Sequence, residues 1–522
     1  MFFRRSNTDA GFTLQRKKKE WTWKNITDKI KFSPRPINQS LLNLESSEAD
    51  KLAQDSFLCI MRYMGDEHLK RSQTYTDCVY ELLSICHRYV PIRDEVHCQL
   101  VKQVTSNKSQ NPDSLVRGWS LFTIVSAYFA CSETLKPYLL KYLNEVAGDN
   151  RRIYHAIANQ CRANLMQTFR YGGRRFILSA AEVEATTNGK NIRRQLYHLP
   201  GGHRKIIFTR AVTVAEEIVQ ELCLDMNGGK GMKVRSSEEQ QEFSLCYILE
   251  KDNTMKALNN DEYILDVITE LDSKQEEYIL ILTRTVWIHP LRSDSDLYCD
   301  ALFFQIMPNY IAGLLTSLVN GNVTAAILSD ITHLGALLLF SDPTGNALDI
   351  STNNIPSLVP KTILQFGNIT AEQWVNRIQA KSRELSNNYT PIQARQQFLE
   401  IVEKWALFGA AFFFVRRAVT KKHTFLNSVI AVNRHGIRIL TNDSHEVLQH
   451  YALDEIESTN KYTLSDCHFL EIKLTYLASQ KVDYEVVTIE TELGEEMARL
   501  LGQYMYLSKE NTKEPIYIAS SK

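Results

Sequence analysis

The residue groups with the right types for catalysis or metal binding fail on spacing. His445-Glu446-Val447-Leu448-Gln449-His450 has the composition of a zinc-protease helix, where two histidines hold the metal and a glutamate activates water. Its histidines are five residues apart, which sets them about 140° apart around a helix with 3.6 residues per turn. They cannot share one metal from a helix, and the segment reads as a strand-to-strand connection with surface histidines. Gly228-Gly229-Lys230-Gly231 has glycine enough to wrap a phosphate, but it follows a helical pattern where a phosphate loop precedes one. It reads as a flexible hairpin or insert. Asp294-Ser295-Asp296 starts like a calcium loop but lacks the glycine at the sixth position and the later bidentate glutamate, so a helix cap is the plain reading. Neither a Gly-x-Ser-x-Gly elbow nor a Gly-x-x-x-x-Gly-Lys-Ser/Thr loop occurs. The ten cysteines form no Cys-x-x-Cys pair and read as reduced, buried thiols of a cytosolic protein. The expectation is a chain that is not an enzyme, with no catalytic, cofactor or metal site.

Positive charge supplies the other groupings. Arg16, Lys17, Lys18 and Lys19 would neutralise phospholipid headgroups or the acidic tails of tubulin, unless they are simply a solvated tail. Arg416, Arg417, Lys421 and Lys422 fall between two strand patterns, as either an inositol-phosphate loop or a charged hairpin tip. Arg151, Arg152, Arg170, Arg174 and Arg175 would suit an acidic partner or the acidic second half of the same chain. The chain carries 60 Lys+Arg and 60 Asp+Glu, so global charge calls for no nucleic acid. The balance hides an asymmetry. Residues 1–200 hold 30 basic against 19 acidic side chains, and the remainder hold 30 against 41.

The elements that must position these groups are those of an ordinary globular chain. With 522 residues, 44% hydrophobic and 23% charged, about three to four domains are expected, and disordered or collagen-like chains are excluded. Apolar residues three and four apart in Phe57-Leu58-Ile60-Met61-Met64, Val79-Leu82-Leu83-Cys86 and Val96-Leu100-Val101-Val104 predict a helical domain over 40–164. Phe176-Ile177-Leu178, Lys205-Ile206-Ile207-Phe208 and Phe243-Ser244-Leu245 read as strands around a helix over 214–224. Helices return over 294–395. Residues 301–329 contain no charge, yet Gln305, Pro308, Asn309, Asn320 and Asn322 interrupt them, so they read as buried helices and not a transmembrane segment. The N-terminus shows no signal peptide. Residues 398–508 alternate strands and turns and close with one helix through Met497, Leu500, Leu501 and Tyr504.

These residues carry a resemblance. Ser40-Leu41-Leu42, Arg93-Asp94-Glu95 with Gln99-Leu100-Val101-Lys102-Gln103, and Gly118-Trp119-Ser120-Leu121 resemble the myosin tail homology 4 domain. Lys205 to Phe208, then Phe303-Phe304-Gln305 with His333-Leu334-Gly335-Ala336-Leu337-Leu338, then Trp405 to Phe413 with Asn433-Arg434-His435-Gly436 resemble the three lobes of a FERM domain. The resemblance implies a multidomain α+β chain: a basic leader (1–37), an all-helical myosin tail homology domain (38–200), a ubiquitin-like roll (201–292), a helical bundle (293–397), a pleckstrin-homology-like barrel (398–510) and a tail (511–522).

This tandem is similar to the tails of unconventional myosins of the seventh, tenth and fifteenth classes, and to kinesin-like and non-motor adaptors. The implied function is a non-catalytic, autoregulatory cargo-binding tail. It would link an actin-based motor to adhesion receptor tails, scaffold proteins, tubulin or acidic phospholipid, and it would also bind its own motor. The implied location is cytoplasmic, at the cytoskeleton or cortex, in filopodia, adhesion and phagocytosis. The alternative is a lipid- and microtubule-binding adaptor working through the basic N-terminal half. For a peptide, the third lobe offers a barrel edge beside a helix, with Lys473, Thr475 and Tyr476 on the strand and Glu496, Arg499 and Gln503 on the helix. Arg93, Asp94 and Glu95 are expected in architectural polar pairing.

Overall fold

The computed structural model describes residues 30–226, 237–318, 323–342, 350–366, 368–385, 389–478 and 481–511. Arg16 to Lys19 and Gly228 to Gly231 lie outside these. The chain forms two compact units: residues 1–195, 207–214 and 261–277 in the first, and 196–206, 215–260 and 278–522 in the second.

The first unit is built on α1 (Ser47–Met64), α2 (Tyr75–Arg88), α3 (Ile92–Val104), α4 (Ser114–Tyr128), α5 (Lys136–Ala147), α6 (His155–Tyr171) and α7 (Ala180–Thr187). Caps set their limits. Ser46 accepts from the Ala49 N–H at the start of α1, and Gly65 ends it with φ 79°. Thr74 and Asp77 form a reciprocal capping box on α2. The core centres on Trp119, whose ring is stacked with Phe122, Tyr142 and Tyr154. Glu95 is buried and accepts from the Leu41 and Leu42 N–H groups and from Gln99 Nε2, tying the segment before α1 to α3. Arg93 donates to the Cys86 carbonyl, and Asp94 receives the Ser132 N–H and hydroxyl.

Three expectations are corrected here. Arg174 is no surface charge: it is 5% exposed, with Nε donating to Asp266 at 2.8 Å and its fork also held by Glu182. Residues 176–179 form no strand, because side chains take their backbone carbonyls: Tyr128 donates to Phe176 O and Tyr80 to Leu178 O. Finally, β1 (Ile192–His198), expected at the end of the helical domain, is a sheet strand.

That sheet has the order β2-β1-β5-β3-β4, with β2 (Arg204–Arg210), β3 (Phe243–Leu249), β4 (Met255–Ala257) and β5 (Tyr278–Arg284). The helices along this stretch are α8 (Ala215–Met226) and α9 (Ser237–Gln240), and α10 (Ile264–Ser273), which belongs to the first unit. β5 runs parallel to β1 and antiparallel to β3. The second unit continues through α11 (Asp296–Ile311), α12 (Ala325–Phe340), α13 (Lys361–Phe366), α14 (Ala371–Leu385) and α15 (Pro391–Val402). Trp374 and Ile378 of α14 are fully buried in the core of this bundle.

The last part is a seven-stranded antiparallel sheet in the order β10-β11-β12-β6-β7-β8-β9. Its strands are β6 (Ala411–Val419), β7 (Thr424–Asn433), β8 (Gly436–Thr441), β9 (Val447–Tyr451), β10 (Ile456–Leu464), β11 (Cys467–Ala478) and β12 (Lys481–Glu490); α16 (Gly494–Asn511) follows. The expected barrel is not closed: no pairing joins β9 to β10 among the described residues. β9 is five residues long, and a 3-10 turn (Leu453–Glu455) separates it from β10, packing on β8 and β11. α16 supplies Met497, Leu500, Leu501 and Tyr504 to the core over Leu470, Ile472 and Leu474 of β11.

Candidate functional site

The sheet ends on β10. One edge of this strand pairs with β11, and the other has no strand neighbour among the described residues. Its side chains alternate between the two faces. Ser458, Asn460 and Tyr462 stand opposite Lys473, Glu471 and Phe469, and the Tyr462 and Phe469 rings stack at 5.3 Å. Thr459 and Lys461 stand opposite Ile472 and Leu470, the residues packed under α16. Thr459 and Lys461 therefore share the helix-facing side. Lys461 Nζ donates to Glu495 Oε2 at 2.8 Å in the first turn of α16. This hydrogen bond holds the Glu495 carboxyl below the usual carboxylate range, with Lys256 and Arg499 adding to the effect. An unpaired strand edge beside a charged helix can hydrogen-bond an extended chain.

The structure divides the six residues expected to form a groove. Lys473 and Thr475 both donate to Glu457, at 3.0 and 2.8 Å, and the Lys473 ammonium lies 5.1 Å from the Tyr484 ring centroid. They occupy the sheet face opposite α16, because Leu470, Ile472 and Leu474 alternate with them and point into the core. Tyr476 of β11 pairs with Asp483 of β12, and β11 is bordered on both sides, by β10 and β12, so it offers no edge. Glu496, Arg499 and Gln503 form one half-buried stripe on α16. The sheet thus stands between Lys473 and Thr475 on one side and the three helix residues on the other. Thr459 and Lys461 were missed, although the apolar alternation of β11 is the signal that assigns the faces.

The basic groups are also scattered. Arg416 and Arg417 are exposed on β6, with Arg417 Nε 3.4 Å from Glu490. Lys421 and Lys422 sit exposed on the turn to β7, where the Lys421 N–H donates to Glu485. Arg151 and Arg152 are exposed before α6 in the other unit, with Arg152 Nε bonded to Asp149 at 3.0 Å. Of the motif residues, His445 meets the Gly313 carbonyl through Nδ1 and His450 meets the His435 carbonyl through Nε2. Ser295 caps α11 by accepting the Tyr298 N–H. Among the described residues, no cluster of His, Cys, Asp and Glu could hold a metal, and no helix is long and apolar enough to cross a membrane. Eight of the ten cysteines are buried, and Cys98 and Cys467 are half-buried.

Comparison with known proteins gives this geometry its context. Residues 79–185 match the MyTH4 domain, and residues 293–413 match the FERM central domain. Unconventional myosin-XV of Homo sapiens is 30% identical over 92% of this chain, which spans 13% of that protein. Myosin-VIIa of Drosophila melanogaster is 24% identical over 96% of the chain, which spans 22% of it. The fold matches the human myosin 7b C-terminal MyTH4-FERM domain, solved in complex with the harmonin-a PDZ3 domain. That match has a TM-score of 0.67 and 20% identity, covering 98% of this chain and 95% of that one. The chain therefore belongs with the MyTH4–FERM tandems and is homologous to the tails of class XV and class VII unconventional myosins.

Proposed function

We propose that this chain is the cargo-binding and autoregulatory tail module of an unconventional myosin, non-catalytic itself, with an actin-based motor elsewhere in the parent protein. It takes an extended partner segment along β10, against α16. The observation that carries this reading is the unpaired β10 edge flanked by the Lys461–Glu495 pair. The myosin 7b structure, which holds a scaffold PDZ domain, supports scaffold proteins as one partner class. Adhesion receptor tails and the parent motor are the others, and filopodia or the cell cortex is the setting.

The test is a pull-down from cell extract on residues 38–522 at about 0.1 and about 0.5 M salt, followed by hydrogen exchange of the complex. A scaffold, receptor tail or myosin motor retained at high salt, with new protection over residues 456–464, supports the reading. Retention of tubulin or acidic vesicles alone, lost at high salt, replaces it with the adaptor reading. The asymmetry of 30 basic against 19 acidic residues in the first 200 favours that second reading.

A further inference from the structure

The helical unit contains a cavity of about 600 Å³, where α4, α6, α7 and α10 meet the start of β1 and the end of β2. Small side chains create it. Ala127 of α4 and Ala181 and Ala185 of α7 stand in its wall where larger residues would close it. Four polar residues of the wall are turned onto helix backbone. Thr123 donates to the Trp119 carbonyl at 2.9 Å, Thr186 to Glu182 at 2.9 Å, Thr269 to Leu265 at 2.6 Å, and Asn164 Nδ2 to Thr123 at 3.0 Å. With these groups occupied, apolar surface predominates in the interior, the kind of space that takes an apolar guest.

Charge orders the cavity along its depth. The buried Arg174 is shared between Glu182 and Asp266, on α7 and α10, and spaces the two helices. Two carboxylates against one guanidinium leave this end net negative. At the opening, Lys190 and Arg193 are exposed, and neither side chain has a polar partner among the described residues. Asp272, exposed at the end of α10, also lines the cavity. An anion is therefore repelled from the Arg174 end and attracted at the β1 side of the mouth.

We infer that this cavity binds an anionic amphiphile, with the acyl chain in the alanine-walled interior and a carboxylate or phosphate head against Lys190 and Arg193. A free fatty acid and a membrane phospholipid share this chemistry. The site is independent of the β10 edge.

The test titrates the full chain with 11-(dansylamino)undecanoic acid, reading dansyl fluorescence. The expected result is saturable one-site binding, weakened at least tenfold by Lys190→Glu with Arg193→Glu and abolished by Ala185→Trp, which fills the space. The charge pair is exposed and unbonded, so it tests the site even if the tryptophan variant fails to fold. Methyl esterification of the probe should weaken binding to a similar degree. Phosphatidylserine vesicles that displace the probe and sediment the wild type, but not the charge-reversed chain, identify a membrane lipid as the source. Vesicles that do neither, with the probe still bound, identify a free fatty acid. Non-saturable probe binding, or affinity unchanged by the charge pair, overturns the assignment.

Discussion

Arg284 and Glu242 face each other with almost no access to solvent, at 1% and 0% exposure. Arg284 Nε and Nη2 donate to the same carboxylate oxygen at 2.8 and 2.5 Å. The other oxygen accepts the His289 N–H at 2.8 Å and meets the His289 ring. Arg284 Nη1 reaches the Tyr298 hydroxyl, which donates to Glu239, and Glu239 pairs with Arg292. The network joins α9 and the residue before β3, the end of β5 with the segment after it, and α11. Every member is hydrogen-bonded, the condition under which buried charge is tolerated.

Removing one partner should be costly. Glu242→Gln leaves the Arg284 charge buried and uncompensated, and an unfolding loss of about 3–5 kcal/mol is expected by chemical denaturation. Replacing both residues, Arg284→Met with Glu242→Leu, should recover most of it. A single variant within about 1 kcal/mol of wild type would show that the network does not set stability.

His97 gives a pH dependence whose direction is fixed by its burial. It is fully buried on α3, meets the Phe129 carbonyl through Nε2, and desolvation pushes its pKa down from 6.5 to about 4. Above about pH 6.5 the residue is neutral in both states and has no effect on stability. Between about 6.5 and 4 the unfolded chain binds a proton that the folded chain refuses. Stability therefore falls with pH at up to about 1.4 kcal/mol per unit, in total about 3 kcal/mol. The difference in unfolding free energy between wild type and His97→Gln, measured at pH 7.5 and pH 4.5, isolates this contribution. A difference that does not change with pH rejects it.

Gly173 is positioned by close approach. A Cβ there would overlap the Tyr128 carbonyl oxygen, a backbone atom that cannot swing aside. The next residue donates its N–H to Ala127 and holds the Asp266–Glu182 pair through its side chain. Gly173→Ala should cost about 1–3 kcal/mol or more in denaturation experiments, and it should shift the NMR signals of the Arg174 surroundings more than those of the 411–490 sheet. An undisturbed, equally stable variant would mean that this approach is not needed.

How much of this was legible in the sequence depends on whether neighbours in the chain or distant residues decide. The helices of the first unit follow local periodicity and caps, as at Ser46 and Thr74, and were readable. Arg174 was not, because its partners are 8 and 92 residues away and a buried arginine has the same local sequence signature as an exposed one. β1 has no strand signature in the sequence, because its partner β5 lies far along the chain. The sequence points to a groove between β11 and α16, but β11 lies between β10 and β12 in the sheet. Sequence alternation divides β11 into two faces, yet only the sheet order shows that β10, not β11, is the edge.

That distinction yields the prediction that separates the two versions of the peptide site. Lys461 shares the α16 side of β10 and bonds Glu495; Lys473 faces away and bonds Glu457. Both pairs are exposed, so reversing either charge should change stability by no more than about 1 kcal/mol. Lys461→Glu places two carboxylates at the groove and should weaken a bound cargo segment by roughly tenfold, about 1.4 kcal/mol. Lys473→Glu should leave that affinity within a factor of about two. Titrating both variants with the partner recovered from the pull-down decides between them. Loss of affinity with Lys473→Glu and none with Lys461→Glu would put the partner on the outer face of the sheet and remove the β10 edge from the binding mechanism.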